Sequence, residues 1–237
     1  MQRQDVELGA FFHPDEGVHP GVVLLHDVWG LSDHFCDLAS RLAEAGFGVL
    51  ALDIYRREAS VEIENPGVWM RGLSDPEIQS DIEAAAEFLR AAPATQGHKV
   101  GVVGFCMGGM YSLLAGCGGQ GIDAAVVFYG LLSHTHGILH DEAGLDPARK
   151  PRQPLDAVPD LQCPLLGLFG EEDEFIPLGD IRELEKRLAG AASPSEVIVY
   201  PGAGHAFMNE TREAAFRPEI AAEAWGRMQD FLAAQLA

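Results

Sequence analysis

Basic residues are scarce in this chain: 16 lysines and arginines stand against 36 aspartates and glutamates in 237 residues, a formal net charge of −20. A field of that sign repels nucleic acid and anionic membrane surfaces, so neither is expected as a partner. No apolar stretch reaches the roughly 18 residues of a membrane span. The four cysteines, Cys36, Cys106, Cys117 and Cys163, show no C-x-x-C spacing and sit in apolar or helical surroundings, so reduced thiols are expected in place of a disulfide framework. The opening residues Met1 to Glu7 are polar and include Asp5 and Glu7, unlike the basic-then-apolar plan of a secretory signal, and a cytoplasmic location is expected. What is present is the balance of an ordinary globular enzyme, 47% hydrophobic and 22% charged, at a length that suits one domain over 1–237.

Short apolar runs alternate with helical patterns. Strands are expected at Gly21 to Leu25, Phe47 to Leu52, Lys99 to Val103, Ala124 to Tyr129, Pro164 to Phe169 and Glu196 to Tyr200. Helices are expected at His34 to Ala45, Asp75 to Ala92, Met110 to Ala115, Leu178 to Leu188 and Arg212 to Leu236. Strands that are apolar throughout suit a mostly parallel sheet with helices on both faces, hence an α/β fold. A further strand from Val6 to Phe12 is expected at the sheet edge, antiparallel. The stretch from Leu131 to Cys163 is rich in Pro, His, Asp and Arg and breaks the rhythm. A loop of that length leaving a strand's carboxyl end is expected to cap the active site.

The most informative motif is Gly104-Phe105-Cys106-Met107-Gly108-Gly109, set between an apolar strand and a helical stretch. A nucleophile in a sharp strand-to-helix turn needs neighbours without side chains two positions either side, and Gly104 and Gly108 meet that need. The turn also puts the Cys106 thiol at a helix N-terminus, whose partial positive charge favours thiolate. Cys36, Cys117 and Cys163 lack the G-x-C-x-G pattern and are expected in the core. After the fifth core strand comes Gly170-Glu171-Glu172-Asp173-Glu174-Phe175-Ile176-Pro177, where Asp173 is the candidate acid in a turn crowded by other carboxylates. After the sixth comes Pro201-Gly202-Ala203-Gly204-His205-Ala206-Phe207, where His205 is the candidate base. Nucleophile, acid and histidine fall in the chain order of an α/β-hydrolase fold. In those roles Cys106 attacks an acyl carbon, His205 moves protons and Asp173 fixes the imidazole tautomer. The N–H groups of Met107 and Val28 are the candidate oxyanion donors.

These motifs, with His26-Asp27-Val28-Trp29-Gly30 after the first core strand, resemble the dienelactone hydrolase family, carboxymethylenebutenolidase-like members of the α/β-hydrolase superfamily. The resemblance spans nearly the whole chain, and cysteine at the elbow carries most of it. It implies an ester or lactone hydrolase that needs no cofactor. It also implies substrate-binding or gating roles for Asp27, Trp29, Arg71, Phe207 and Asn209. Two departures bear on substrate. Dienelactone-cleaving members carry a glutamate at Asp27 that contacts the resting thiol. They also clamp the substrate carboxylate with two arginines, where this chain has Asn209 at one position and Arg71 as a candidate for the other. With the acidic charge, the missing clamp points to a neutral or weakly anionic substrate.

Three further readings stay open on the residues. The same thiolate could attack an activated phosphoester. His134, His136, His140 and Asp141 are spaced so that two imidazoles could share a face and hold a metal, although histidines in such a loop are more often polar surface. The fold could also serve as a ligand-binding or redox-sensing module with Cys106 as the oxidised group. Monomer and homodimer are both compatible with the sequence.

Overall fold

Runs of Val, Leu, Ala and Phe that bury both faces form the centre of a single eight-stranded sheet in the computed structural model, which describes residues 1–119 and 121–237. The strands are β1 Gln2–Val6, β2 Gly9–His13, β3 Gly21–Leu25, β4 Gly48–Leu52, β5 Val100–Phe105, β6 Ala124–Phe128, β7 Leu165–Gly170 and β8 Ser195–Tyr200. Their spatial order is β1-β2-β4-β3-β5-β6-β7-β8. From β4 to β8 every pairing is parallel, and β3 to β7 are buried along their whole length, as a sheet covered on both sides requires.

The α-helices are α1 Asp33–Glu44, α2 Pro66–Gly72, α3 Asp75–Ala91, α4 Met107–Gly118, α5 Pro154–Ala157, α6 Leu178–Leu188 and α7 Pro218–Leu236. Helices α3 and α4 pack together against β3, β5 and β6. On the other face α1 and α7 meet where Arg41 lies 4.6 Å over the Trp225 ring. The chain leaves β3 for β4 on one side and then returns to β5 on the other. That reversal opens a crevice at the carboxyl ends of β3 and β5, where open α/β sheets bind ligands.

Several boundaries differ from the sequence expectation, each for a local reason. The single N-terminal strand expected over Val6 to Phe12 is a hairpin of β1 and β2 that breaks at Glu7-Leu8, with Gly9 at φ +144, a conformation open to glycine. The helix expected from Met110 begins at Met107, immediately after Cys106. The helix expected from Arg212 begins at Pro218, because proline fixes the first helical turn and holds the preceding Arg217 extended. Helix α2 was not expected at all, although Asn65-Pro66 is a start signal: Asn65 caps the helix by accepting from the Val68 N–H at 3.1 Å, and Pro66 takes its first turn. The 131–163 segment contains α5 and two single 3₁₀ turns, Gly137–Leu139 and Val158–Asp160.

Candidate active site

Strand β5 delivers Cys106 to the crevice in a conformation that ordinary residues avoid, φ 56° and ψ −116°. A Cβ added to Gly104 would overlap the Gly108 carbonyl, and one added to Gly108 would overlap the Leu25 carbonyl, so the elbow closes only with glycine at both positions. The Cys106 N–H is tied to the Phe128 carbonyl at 3.0 Å, and the residue stands at the N-terminus of α4. Among the described residues three non-glycines have positive φ: Cys106, Tyr129 and Ala206. All three surround the crevice, a concentration of strain typical of functional sites.

Strand β7 ends in the turn that carries Asp173, and β8 in the loop that carries His205. The Asp173 side chain is fully buried. Its Oδ1 accepts from the Phe175 and Ile176 N–H groups at 2.9 and 3.2 Å, which leaves Oδ2 for His205 Nδ1 at 2.8 Å. A carboxylate only accepts, so Nδ1 carries hydrogen and Nε2 is free for chemistry. The imidazole is held edge-to-face by Tyr129 at 5.1 Å and Phe175 at 5.0 Å. Burial pushes the His205 pKa down. The negative charges of Cys106 and Asp173 outweigh that effect and raise it to about 10.

Cys106 and His205 line one pocket with Asp27, Val28, Trp29, Pro66, Met70, Leu131, Ile138, Phe175, Ala206 and Arg212. Its walls are mainly apolar, and Leu131 and Ile138 bring the 131–163 segment into it. Neither the Val28 nor the Met107 N–H donates to a protein acceptor among the described residues, so both are free to receive an oxyanion.

The other candidates divide. Asp27 is in the pocket, but its Oδ1 accepts from the Trp29 N–H at 2.8 Å and its Oδ2 lies 3.8 Å from the Arg212 guanidinium. No hydrogen bond joins it to Cys106 among the described residues. Trp29 lines the pocket and is 47% exposed. Arg71 is outside the lining: it donates to the Ile138 carbonyl at 3.1 Å and pairs with Asp141 at 3.3 Å, anchoring the 131–163 segment to α2. Phe207 is fully buried behind His205, against Tyr129 and Tyr200. Asn209 is buried and accepts from Thr211 N and Oγ1. The pocket's cation is Arg212, in a stretch expected to be helical but lying ahead of α7. No motif marks it, because the turn ahead of Pro218 is what aims it inward, 5.7 Å over the Trp29 ring. Of the remaining cysteines, Cys117 and Cys163 are buried and burial pushes both thiols up to about 12, while Cys36 is half-buried on α1. In the 131–163 segment His136 pairs with Asp180 at 2.7 Å, and no cluster of three metal-ligating side chains occurs among the described residues.

The dienelactone hydrolase family profile matches residues 8–236. The chain belongs to the dienelactone hydrolase family. A Bradyrhizobium sp. protein assigned as a 2-oxo-3-(5-oxofuran-2-ylidene)propanoate lactonase is 32% identical over 216 residues, spanning 90% of this family member and 83% of its own length. Among solved structures, one assigned as a dienelactone hydrolase from Klebsiella pneumoniae superposes with a TM-score of 0.83 at 28% identity, covering 94% of this chain and 91% of that one. A dienelactone hydrolase-like promiscuous phosphotriesterase from metagenomic libraries shares the fold, with a TM-score of 0.78 at 22% identity over 96% and 92% of the two chains. This family member is an α/β-hydrolase by fold and a hydrolase by family, and no helix among its described residues is long and apolar enough to cross a membrane.

Proposed function

We propose that this dienelactone hydrolase family member cleaves a neutral or weakly anionic ester or lactone through Cys106, His205 and Asp173. The observation that carries the reading is the His205 Nδ1 to Asp173 Oδ2 bond of 2.8 Å beside a strained cysteine elbow that opens on the same pocket. The Cys106 thiolate attacks the acyl carbon, and the carbonyl π electrons move to oxygen, where the Val28 and Met107 N–H groups receive the charge. Collapse breaks the C–O bond and leaves an acyl-thioenzyme as the alkoxide takes the Nε2 proton of imidazolium His205. Water then attacks the thioester, gives its proton to His205, and the acid departs as thiolate re-forms.

The pocket supports the substrate class. Val28, Met70, Leu131, Ile138 and Phe175 suit an apolar body, while Arg212 is partly neutralised by Asp27 and offers one cation to a weakly anionic group. The same walls suit an uncharged phosphotriester, which favours thiolate attack at phosphorus as a second reading, in line with the metagenomic phosphotriesterase that shares the fold. Steady-state kinetics on neutral aryl esters, lactones and dienelactone test the proposal. Cys106→Ala should lower kcat/KM by at least about 10³-fold, and neutral esters should be turned over at least as well as dienelactone. Activity that survives in Cys106→Ala, or a strong preference for dienelactone, would overturn it. A product burst with a chromogenic triester, lost in Cys106→Ala, would support the second reading.

A further inference from the structure

The loop that carries Val28 is fastened on its buried side by two residues that no catalytic step has used. His26 is completely buried. Its Nδ1 lies 2.6 Å from the Asp27 carbonyl and its Nε2 lies 3.1 Å from the Ile54 backbone nitrogen. A carbonyl only accepts and a backbone N–H only donates, so the ring has one possible state: neutral, with hydrogen on Nδ1. Burial is the main cause that lowers its pKa, in keeping with that state. Tyr55, in the turn after β4, donates its hydroxyl to the Val28 carbonyl at 2.8 Å. The same oxygen lies 3.4 Å from Met107 Sδ, and the Tyr55 ring packs edge-to-face on His26 at 5.0 Å. One phenol therefore touches both residues whose N–H groups face the reacting oxygen.

Peptide geometry turns these contacts into orientation. In a trans peptide the C=O and the following N–H lie in one plane and point in opposite directions. The Asp27 carbonyl belongs to the same peptide unit as the Val28 N–H. Holding that carbonyl toward buried His26 directs the Val28 N–H away from the core, and Val28 lines the pocket with Cys106. Tyr55 fixes the next plane through the Val28 carbonyl.

We propose that His26 and Tyr55 are positioning residues for the oxyanion hole, which together set the Val28 N–H against the reacting oxygen. The inference rests on the Cys106 reading above, because an oxyanion forms only if an acyl carbon is attacked. Neither side chain touches substrate, so their effect falls on the transition state in preference to the bound ground state.

The test measures acylation of Cys106 in the full-length enzyme by quenched-flow mass spectrometry, with a matched ester and thionoester. Sulfur is larger and a weaker acceptor than oxygen, so the thionoester gains less from the hole. Tyr55→Phe keeps the ring and removes only the hydroxyl. It should slow acylation by the ester about tenfold with KM unchanged, and slow the thionoester less. His26→Gln should act in the same direction and more strongly, and Tyr55→Phe guards against a His26 variant that fails to fold. Acylation of wild type and Tyr55→Phe at equal rates, equal losses for both substrates, or a change confined to KM would overturn the inference while leaving the Cys106 reading intact. A wild type that turns over without any Cys106 adduct would overturn both.

Discussion

At the scale of single residues, His205 sets the pH behaviour. Its pKa of about 10 keeps the imidazolium across the neutral range, so in the proposed mechanism leaving-group protonation is available there and fails only at high pH. The expected kcat/KM profile falls on its alkaline side near pH 10. Cys106→Ser removes the facing negative charge and needs His205 as a base, so its residual activity should rise with pH across the neutral range. Identical profiles for the two enzymes would contradict the coupling. Stability follows the same linkage. A folded pKa above the ordinary histidine value of about 6.5 contributes stability that is complete below pH 6.5 and is lost as pH rises through about 10. Urea titrations should accordingly show the advantage of wild type over His205→Gln shrinking between those limits. That Cys106, Asp173 and His205 lie at one sheet edge was legible in the sequence, because each follows an apolar strand and is flanked by turn residues. Arg212 was not, since its direction depends on how the chain enters α7.

At the scale of elements, the sheet was legible because buried parallel strands need continuous apolar runs, and the chain supplies them. Its connections were less so. Helix α4 starts before the expected Met110: Gly108 and Gly109 are poor helix formers by propensity, yet close approach to the Leu25 and Phe128 carbonyls requires them inside its first turn. A second contact was invisible for a different reason: its partners are 75 residues apart. Lys150, near the middle of the 131–163 segment, has a fully buried side chain and donates to Asp75 Oδ1 at 2.5 Å, while the Tyr111 hydroxyl donates to the same oxygen at 2.9 Å. This network fastens the segment to α3 and α4. Removing one ion of a buried pair strands the other, so Lys150→Ala should destabilise the protein by ~3–5 kcal/mol, read as a fall in denaturation midpoint. Lys150→Met with Asp75→Leu should recover much of that loss. A single variant as stable as wild type would show that Asp75 gains solvent or another partner.

At the scale of the whole molecule, four strand ends and one inserted segment converge on the crevice beside the point where strand order reverses. Strand β3 brings Val28, β5 brings Cys106, and the loops after β7 and β8 bring Asp173 and His205. Strain is concentrated around them: Cys106, Tyr129 and Ala206 stand at positive φ, and carbonyls leave no room for a Cβ at Gly104, Gly108 and Gly170. The rigid, buried sheet holds that strain in place. The net charge of −20 sets the outer field, while the pocket itself is lined by apolar side chains and one cation, Arg212. The most direct test of the central claim is to trap the intermediate. Wild type mixed with a slowly deacylated ester, quenched in acid and digested, should carry one acyl group per chain on the peptide that contains Cys106, and its decay should match turnover. Turnover with no acyl group on that peptide, or with the group on another residue, would contradict the claim.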